Sequence, residues 1–150
     1  GKTFRIWKFR TMVPNAEILL EKHLASDPAA KAEWENKQKL TDDPRCTTVG
    51  RILRRTSLDE LPQLLNVLLG EMSLVGPRPM MPNQQPLYCG RAYLRLRPGM
   101  TGSWQVSVRN ESTFAERADF DDQYDGSLGF ITDLTILAKT FGVVLRGTGV

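Results

Sequence analysis

Leu58, Leu61, Leu64, Leu65, Leu68 and Leu69 recur at helical spacing, and Gly70 stands where a helix with that apolar face would stop. Pro62 belongs in the first turn of such a helix, where its missing N–H costs nothing. That puts Asp59 at the cap or one step inside it, with Glu60 beside it. Ser57 and Glu60 also have the spacing of a capping box. Either way, two adjacent carboxylates lie at the positive end of the helix dipole, which favours their ionised forms. Alone, such a pair does no more than complement the dipole. A short apolar stretch later, Gly76-Pro77-Arg78-Pro79 holds an arginine between two prolines, which press the backbone into extended geometry and pre-set the side chain's direction. Together these groups suggest phosphate chemistry. A carboxylate can attack phosphorus, a second can hold a divalent metal, and a guanidinium can cradle phosphoryl oxygens.

The rest of the chain breaks into short elements. Phe4, Ile6 and Lys8 alternate with Arg5, Trp7 and Phe9 as in a strand, which would project Lys8 and Arg10 from one face and send Phe9 into the core. A chain that opens inside a strand reads as a piece of something longer. Pro14-Asn15 starts a helix to about Ala25, which carries His23 on its surface. Asp27-Pro28 reads as an N-cap with proline at the first helical position, opening a solvated helix to about Leu40. A turn at 41–45 leads to a short basic helix over 49–55. Residues 72–75 form a short strand, 76–86 an ordered loop and 88–96 a helix. Arg97-Pro98-Gly99-Met100 suits a type II turn. Trp104 and Val106 then alternate in a second strand over 101–107, with Trp104 a core or wall residue. Helices over 114–124 and 131–145 finish the chain. The last carries an apolar stripe of Phe130, Leu134, Leu137, Phe141 and Val144, which either packs on the core or lies on a bilayer.

The 150 residues suffice for one domain, and 41% hydrophobic residues suit a globular body. Residues 1–57 hold twelve Lys/Arg against seven Asp/Glu, whereas residues 111–150 hold three against seven, so an anionic partner would meet one face only. A single histidine argues against a zinc site or a His-centred triad. Cys46 and Cys89 form no CxxC and read as reduced thiols. The sequon at Asn110-Glu111-Ser112 is too short a motif to carry weight. No apolar run approaches bilayer-spanning length; the longest, 130–145, is broken by Asp133 and Lys139. Arg51, Arg54 and Arg55 form a positive helix face, but no nucleic-acid reader motif accompanies them.

Four longer segments then occur in order: Lys8-Phe9-Arg10-Thr11-Met12; Arg55-Thr56-Ser57-Leu58-Asp59-Glu60-Leu61-Pro62-Gln63-Leu64-Leu65-Asn66-Val67-Leu68; Met72-Ser73-Leu74-Val75-Gly76-Pro77-Arg78-Pro79; and Arg97-Pro98-Gly99-Met100-Thr101-Gly102-Ser103-Trp104-Gln105-Val106. This closely resembles the bacterial sugar transferases, the monotopic polyprenyl-phosphate phosphoglycosyl transferases that start surface-polysaccharide synthesis, from about Thr3 to the C-terminus. The resemblance implies a small α+β domain over 1–150, mainly helical with a short β-sheet. It also implies transfer of hexose-1-phosphate, galactose or glucose, from a UDP-sugar to undecaprenyl phosphate at the cytoplasmic face of the bacterial inner membrane, starting exopolysaccharide or O-antigen synthesis. By motif, Asp59 would be the nucleophile that forms an aspartyl phosphosugar, and Glu60 would help hold Mg2+. Lys8, Arg10 and Arg78 would contact phosphate, and Arg97 and Gln105 would line the substrate site. Asp121 falls on the family's Arg-x-x-x-Asp-x-x-Tyr pattern, here Arg117 to Tyr124, with a role in nucleotide or metal binding.

Three features depart from the family's pattern. Its membrane-inserted N-terminal helix is absent from these residues, Ser107-Val108-Arg109-Asn110 replaces Ser-Gly-Arg-Asn, and Ser103 takes a commonly apolar position. Membrane lipid is an expected partner and nucleic acid is not; a homo-oligomer stays open. The competing reading is a non-catalytic module that docks a polysaccharide-assembly complex or an anionic membrane.

Overall fold

The computed structural model describes residues 3–107 and 112–147. Val108, Arg109 and most of the sequon lie outside them. The order is α1 (Ala16–Ser26), α2 (Pro28–Lys37), α3 (Thr48–Arg55), a 3-10 turn (Leu58–Glu60), α4 (Gln63–Leu68), β1 (Ser73–Val75), a second 3-10 segment (Pro82–Leu87), α5 (Ala92–Arg95), β2 (Gly99–Thr101), α6 (Ser103–Val106), α7 (Arg117–Gly126) and α8 (Phe130–Arg146). The fold is mostly helical with one short sheet.

β1 and β2 pair in parallel, Ser73 against Gly99 and Val75 against Thr101. Parallel strands need a long crossover, and the second 3-10 segment and α5 supply it. The pairing continues past β1, where Gly99 N donates to Pro77 O at 2.8 Å and Gly76 N to Thr101 O at 2.9 Å. α8 packs across both strands, and the Thr101 and Thr140 hydroxyls meet at 2.7 Å. Val75, Tyr124 and Ile136 form the buried centre, with Leu96 and Val106 against them. The Tyr124 hydroxyl donates to Asp133 at 2.6 Å and ties α7 to α8.

Several elements follow the sequence pattern. Asp27 caps α2 by accepting from Ala29 N and Ala30 N, and Pro28 opens the helix. α1, α3, β1, α7 and α8 stand within a few residues of their expected places, and Trp104 is buried.

Others differ, each for a physical reason. Residues 3–11 form no strand; the one bridge nearby pairs Met12 with Cys46. Their backbone bonds go elsewhere: Trp7 N donates to the Asn66 side chain, which donates back to Arg5 O, and Phe9 N donates to Asp59 O. Phe9 is therefore not in the core but 53% exposed. Gly99 sits in β2, with φ outside the left-handed region that a type II turn needs. It is there for closeness, since a Cβ on it would stand 2.1 Å from Gly76 N. Trp104 and Val106 lie on the one-turn helix α6, not on a strand. Residues 88–91 are irregular, and α5 is held at its start by Asp122 Oδ1, which accepts from Arg91 N and Ala92 N.

The leucine run is not one helix. Pro62 has no N–H to reach back to Leu58, so the first turn closes in 3-10 fashion, Leu61 N to Leu58 O at 3.2 Å. α4 begins only at Gln63 and faces opposite to expectation for a core helix. Gln63 and Asn66 are buried, while all six leucines of the run are exposed, Leu68 by 82%.

Gly99→Ala should lower the stability of the fold by ~2 kcal/mol or more, because the added methyl meets backbone that cannot move aside without parting the strands. A urea midpoint equal to that of the unsubstituted chain would contradict this.

Candidate active site around Glu60

The 3-10 turn after α3 sets both carboxylates. Ser57, with φ 56°, swings the chain out of α3, and Glu60 N closes the turn on Ser57 O at 3.2 Å. Asp59 and Glu60 thus stand before α4, whose cap is Pro62. They do not cap that helix; the neighbouring cations are what favour their ionised forms.

Glu60 Oε1 accepts from Lys8 Nζ at 2.7 Å and from Arg78 Nη2 at 2.8 Å. Oε2 is left with a 3.5 Å contact to Arg78 Nη1. Burial alone would push the Glu60 carboxyl up, but the Arg78 and Lys8 charges outweigh it and hold it well below the ordinary range. Burial lowers Lys8, with Arg78 adding repulsion and Glu60 opposing both. Asp59 behaves in the opposite sense. Its residue is buried, and its carboxyl is pushed up by burial, with Glu60 adding to the shift and Lys8, Arg54 and Arg78 opposing it. The extended N-terminal segment lies against this turn, Phe9 N donating to Asp59 O at 3.0 Å.

A cavity of about 320 Å³ opens beside the cluster. Glu60 and Arg78 line it together with Gln105, and Leu61, Leu64 and Leu137 supply apolar wall. Asp59 is not among its wall residues. Gln105 is buried, with Nε2 3.5 Å from Met100 O and Oε1 lacking a hydrogen-bond partner. Leu137 and Val144 of the last helix's apolar stripe face this cavity, whereas Phe130, Leu134 and Phe141 are exposed.

The structure therefore brings together Asp59, Glu60, Lys8 and Arg78, with Gln105 on the adjoining wall. Arg10 and Arg97 are exposed, and neither joins an ion pair among the described residues. Asp121 lies in a second cluster on α7, where the Tyr88 hydroxyl donates to it at 3.0 Å. Burial, against the pull of Arg117, raises its carboxyl to about 6. Arg117 links the two clusters by donating from Nη2 to the carbonyl oxygen of Arg78. The sequence reading names it only as the first residue of the Arg-x-x-x-Asp-x-x-Tyr pattern and gives it no role. Of the basic α3 face, Arg54 bonds Thr11 and pairs with Asp43, and Arg55 donates to Gly147 O.

Among the described residues, no three or more His, Cys, Asp or Glu side chains converge as a metal cage. One or two carboxylates, with Glu60 Oε2 only loosely engaged, suit a magnesium ion that brings its own waters and substrate phosphates. No helix among the described residues is long and apolar enough to cross a membrane.

The family described as bacterial sugar transferase matches residues 1–147. The chain is 52% identical, over 99% of its length and 32% of the relative's, to an undecaprenyl-phosphate galactose phosphotransferase of Salmonella typhimurium. It is 49% identical, over 99% of its length, both to the exopolysaccharide production protein ExoY of Sinorhizobium fredii, covering 67% of that protein, and to a UDP-galactose-lipid carrier transferase of Erwinia amylovora, covering 32%. The chain thus spans about a third of the length of the Salmonella and Erwinia relatives. With its four motif segments folded about one buried pair of carboxylates, the chain belongs to the bacterial sugar transferase family.

Proposed function

We propose that this domain transfers hexose-1-phosphate from a UDP-sugar to undecaprenyl phosphate, with Asp59 as nucleophile. The observation that carries the reading is the convergence of two adjacent buried carboxylates with Lys8 and Arg78 beside a mostly apolar cavity. The galactose in the names of the Salmonella and Erwinia relatives favours galactose as the hexose.

An Asp59 carboxylate oxygen attacks the sugar-bearing phosphorus of the donor. The bond from that phosphorus to the bridging oxygen breaks, and UMP leaves with the electron pair. A phosphate oxygen of undecaprenyl phosphate then attacks the same phosphorus and displaces the Asp59 carboxylate, giving the lipid-linked sugar diphosphate. A carboxylate serves both steps because it leaves about as readily as it attacks. Lys8 and Arg78 offset the charge that would repel an anionic attacker. Glu60 holds both cations in place and would supply a ligand to magnesium, whose chemistry, when bound, is to neutralise phosphoryl oxygens. Gln105 lines the cavity and its buried oxygen lacks a partner, which suits it to a contact with the substrate. Arg10 and Arg97 are proposed as outer phosphate and substrate contacts, and Asp121 as a nucleotide or metal contact.

The acceptor is a lipid, and the exposed apolar side chains suit a membrane surface. Phe130, Phe141 and Leu145 on α8 are 81%, 67% and 71% exposed, and Leu68 beside α4's end 82%. Such faces partition into the headgroup boundary. The proposed location is the cytoplasmic face of the inner membrane.

With a UDP-hexose, the protein should release UMP, and Asp59→Asn should lower that release about a thousandfold or more. A peptide carrying Asp59 should gain the mass of a hexose phosphate. Because burial raises the Asp59 pKa, UMP release should start to fall at a higher pH than the ~3.9 of a free aspartate would give. Equal release by the wild type and Asp59→Asn would end the proposal.

Flotation with anionic-lipid vesicles should capture the protein, and Phe141→Ser with Leu145→Ser should weaken capture about tenfold or more. No change would remove α8 from the membrane contact.

Asp121 tests the second cluster through stability. Its folded pKa of about 6 exceeds the unfolded ~3.9, so its contribution is fully present below pH ~4 and is lost as pH rises through 6. Asp121→Asn keeps an acceptor for Tyr88 and should melt higher than the wild type at pH 8, with the gap closing below pH 4. A gap independent of pH would show that the charge on Asp121 is not the cause.

A further inference from the structure

Arg78 needs a fixed backbone as well as a fixed side chain. Gly76 N and Pro77 O bond into the sheet, and the next backbone anchor is Met80 N, which donates to the Tyr93 hydroxyl at 3.1 Å. Pro77 and Pro79 have no N–H to give. Between those anchors, the carbonyl of Arg78 is held by one group, the Arg117 guanidinium from α7.

Arg117 is itself 4% exposed. Its guanidinium carbon lies 5.3 Å from the centre of the Trp104 ring and 5.2 Å from that of Phe114. Trp104 is in turn fixed by its indole N–H, which donates to Ser112 at 2.6 Å. Burying this cation near a second guanidinium is costly. Burial, then repulsion from Arg78, brings Arg117 down to about 10, and its Nε finds no partner. A neutral side chain could fill the aromatic slot without that cost. It could not both stack between two rings and present a rigid N–H fork to a carbonyl, which is the particular capacity of arginine.

We infer that Arg117 is a positioning residue: braced by Trp104 and Phe114, it clasps the Arg78 backbone and so aims the Arg78 guanidinium at Glu60 and at substrate phosphate. The catalytic half of this inference rests on the function proposed above; the structural half does not. Arg117 is not itself a wall residue of the substrate cavity; it meets that wall through the Arg78 carbonyl, so its effect on turnover passes through Arg78.

A double-mutant cycle separates this role from simple packing. Arg117→Lys keeps the charge but loses the planar fork. In the wild-type background it should lower kcat/KM for UMP release about tenfold or more, and in an Arg78→Ala background less than about twofold. A packing role would cost the same factor in both. The cycle is repeated by urea denaturation against Glu60→Gln: Arg117→Lys should shift the midpoint less once the Glu60 charge that receives Arg78 is gone. Wild type that releases no UMP but shows this coupling in stability would keep the placement of Arg117 and overturn the reading of the site. UMP release without coupling in either measurement would overturn the positioning role.

Discussion

One carboxylate oxygen, Oε1 of Glu60, holds the two cations of the site together. Lys8 comes from the extended N-terminal segment and Arg78 from the loop after β1. Neither segment has regular structure of its own to fix it. Without the Glu60 charge, two cations would be left facing each other, a loss of about 3 kcal/mol where such groups are fully buried and less here, since the Lys8 side chain is 37% exposed. The ion pairs are thus weak evidence for overall stability and good evidence for register. They set where two otherwise adaptable segments meet the 3-10 turn.

α4 supports that arrangement by turning its polar side inward. Asn66, fully buried, accepts from Trp7 N and donates to Arg5 O at 2.7 Å and to Glu71 Oε2 at 2.7 Å. A buried amide is tolerable only when its bonds are made, and these bonds tie down the strap that delivers Lys8. The same inversion leaves the leucines outside. The cost of that exposure in water is the physical reason to expect a nonaqueous surface over α4 and α8 in the working protein.

Local signals were legible wherever short-range chemistry decides the outcome. Asp27-Pro28 could be read as a cap, the spacing of α8 as a helix, and Arg78 between its prolines as an aimed side chain. What could not be read were choices made by distant partners. Alternation at 4–9 is the same whether the backbone bonds go to a strand or to Asn66. Leucine spacing does not say which side of a helix faces in. Pro98-Gly99 looks like a turn, because sequence cannot show that Gly76 will approach from 23 residues away and leave no room for a Cβ. In the site, the motifs bring Asp59, Glu60, Lys8 and Arg78 into view together. Arg117 was visible as the start of its motif, but its role was not, because its partner is a backbone carbonyl, which every residue has.

Two carboxylates adjacent in sequence are shifted in opposite directions, and this supports giving them different work. Glu60 is held ionised by two cations that close on it directly, so its electron density is already committed. Asp59 has no such pair closing on it, and burial raises its pKa, making its oxygen more basic and therefore a stronger nucleophile once ionised. Of the cations that favour its ionised form, Lys8, first among them, and Arg78 are held by Glu60, while Arg54 pairs with Asp43. A single side chain thus lets its neighbour be both basic and charged, which neither burial nor cations alone would achieve.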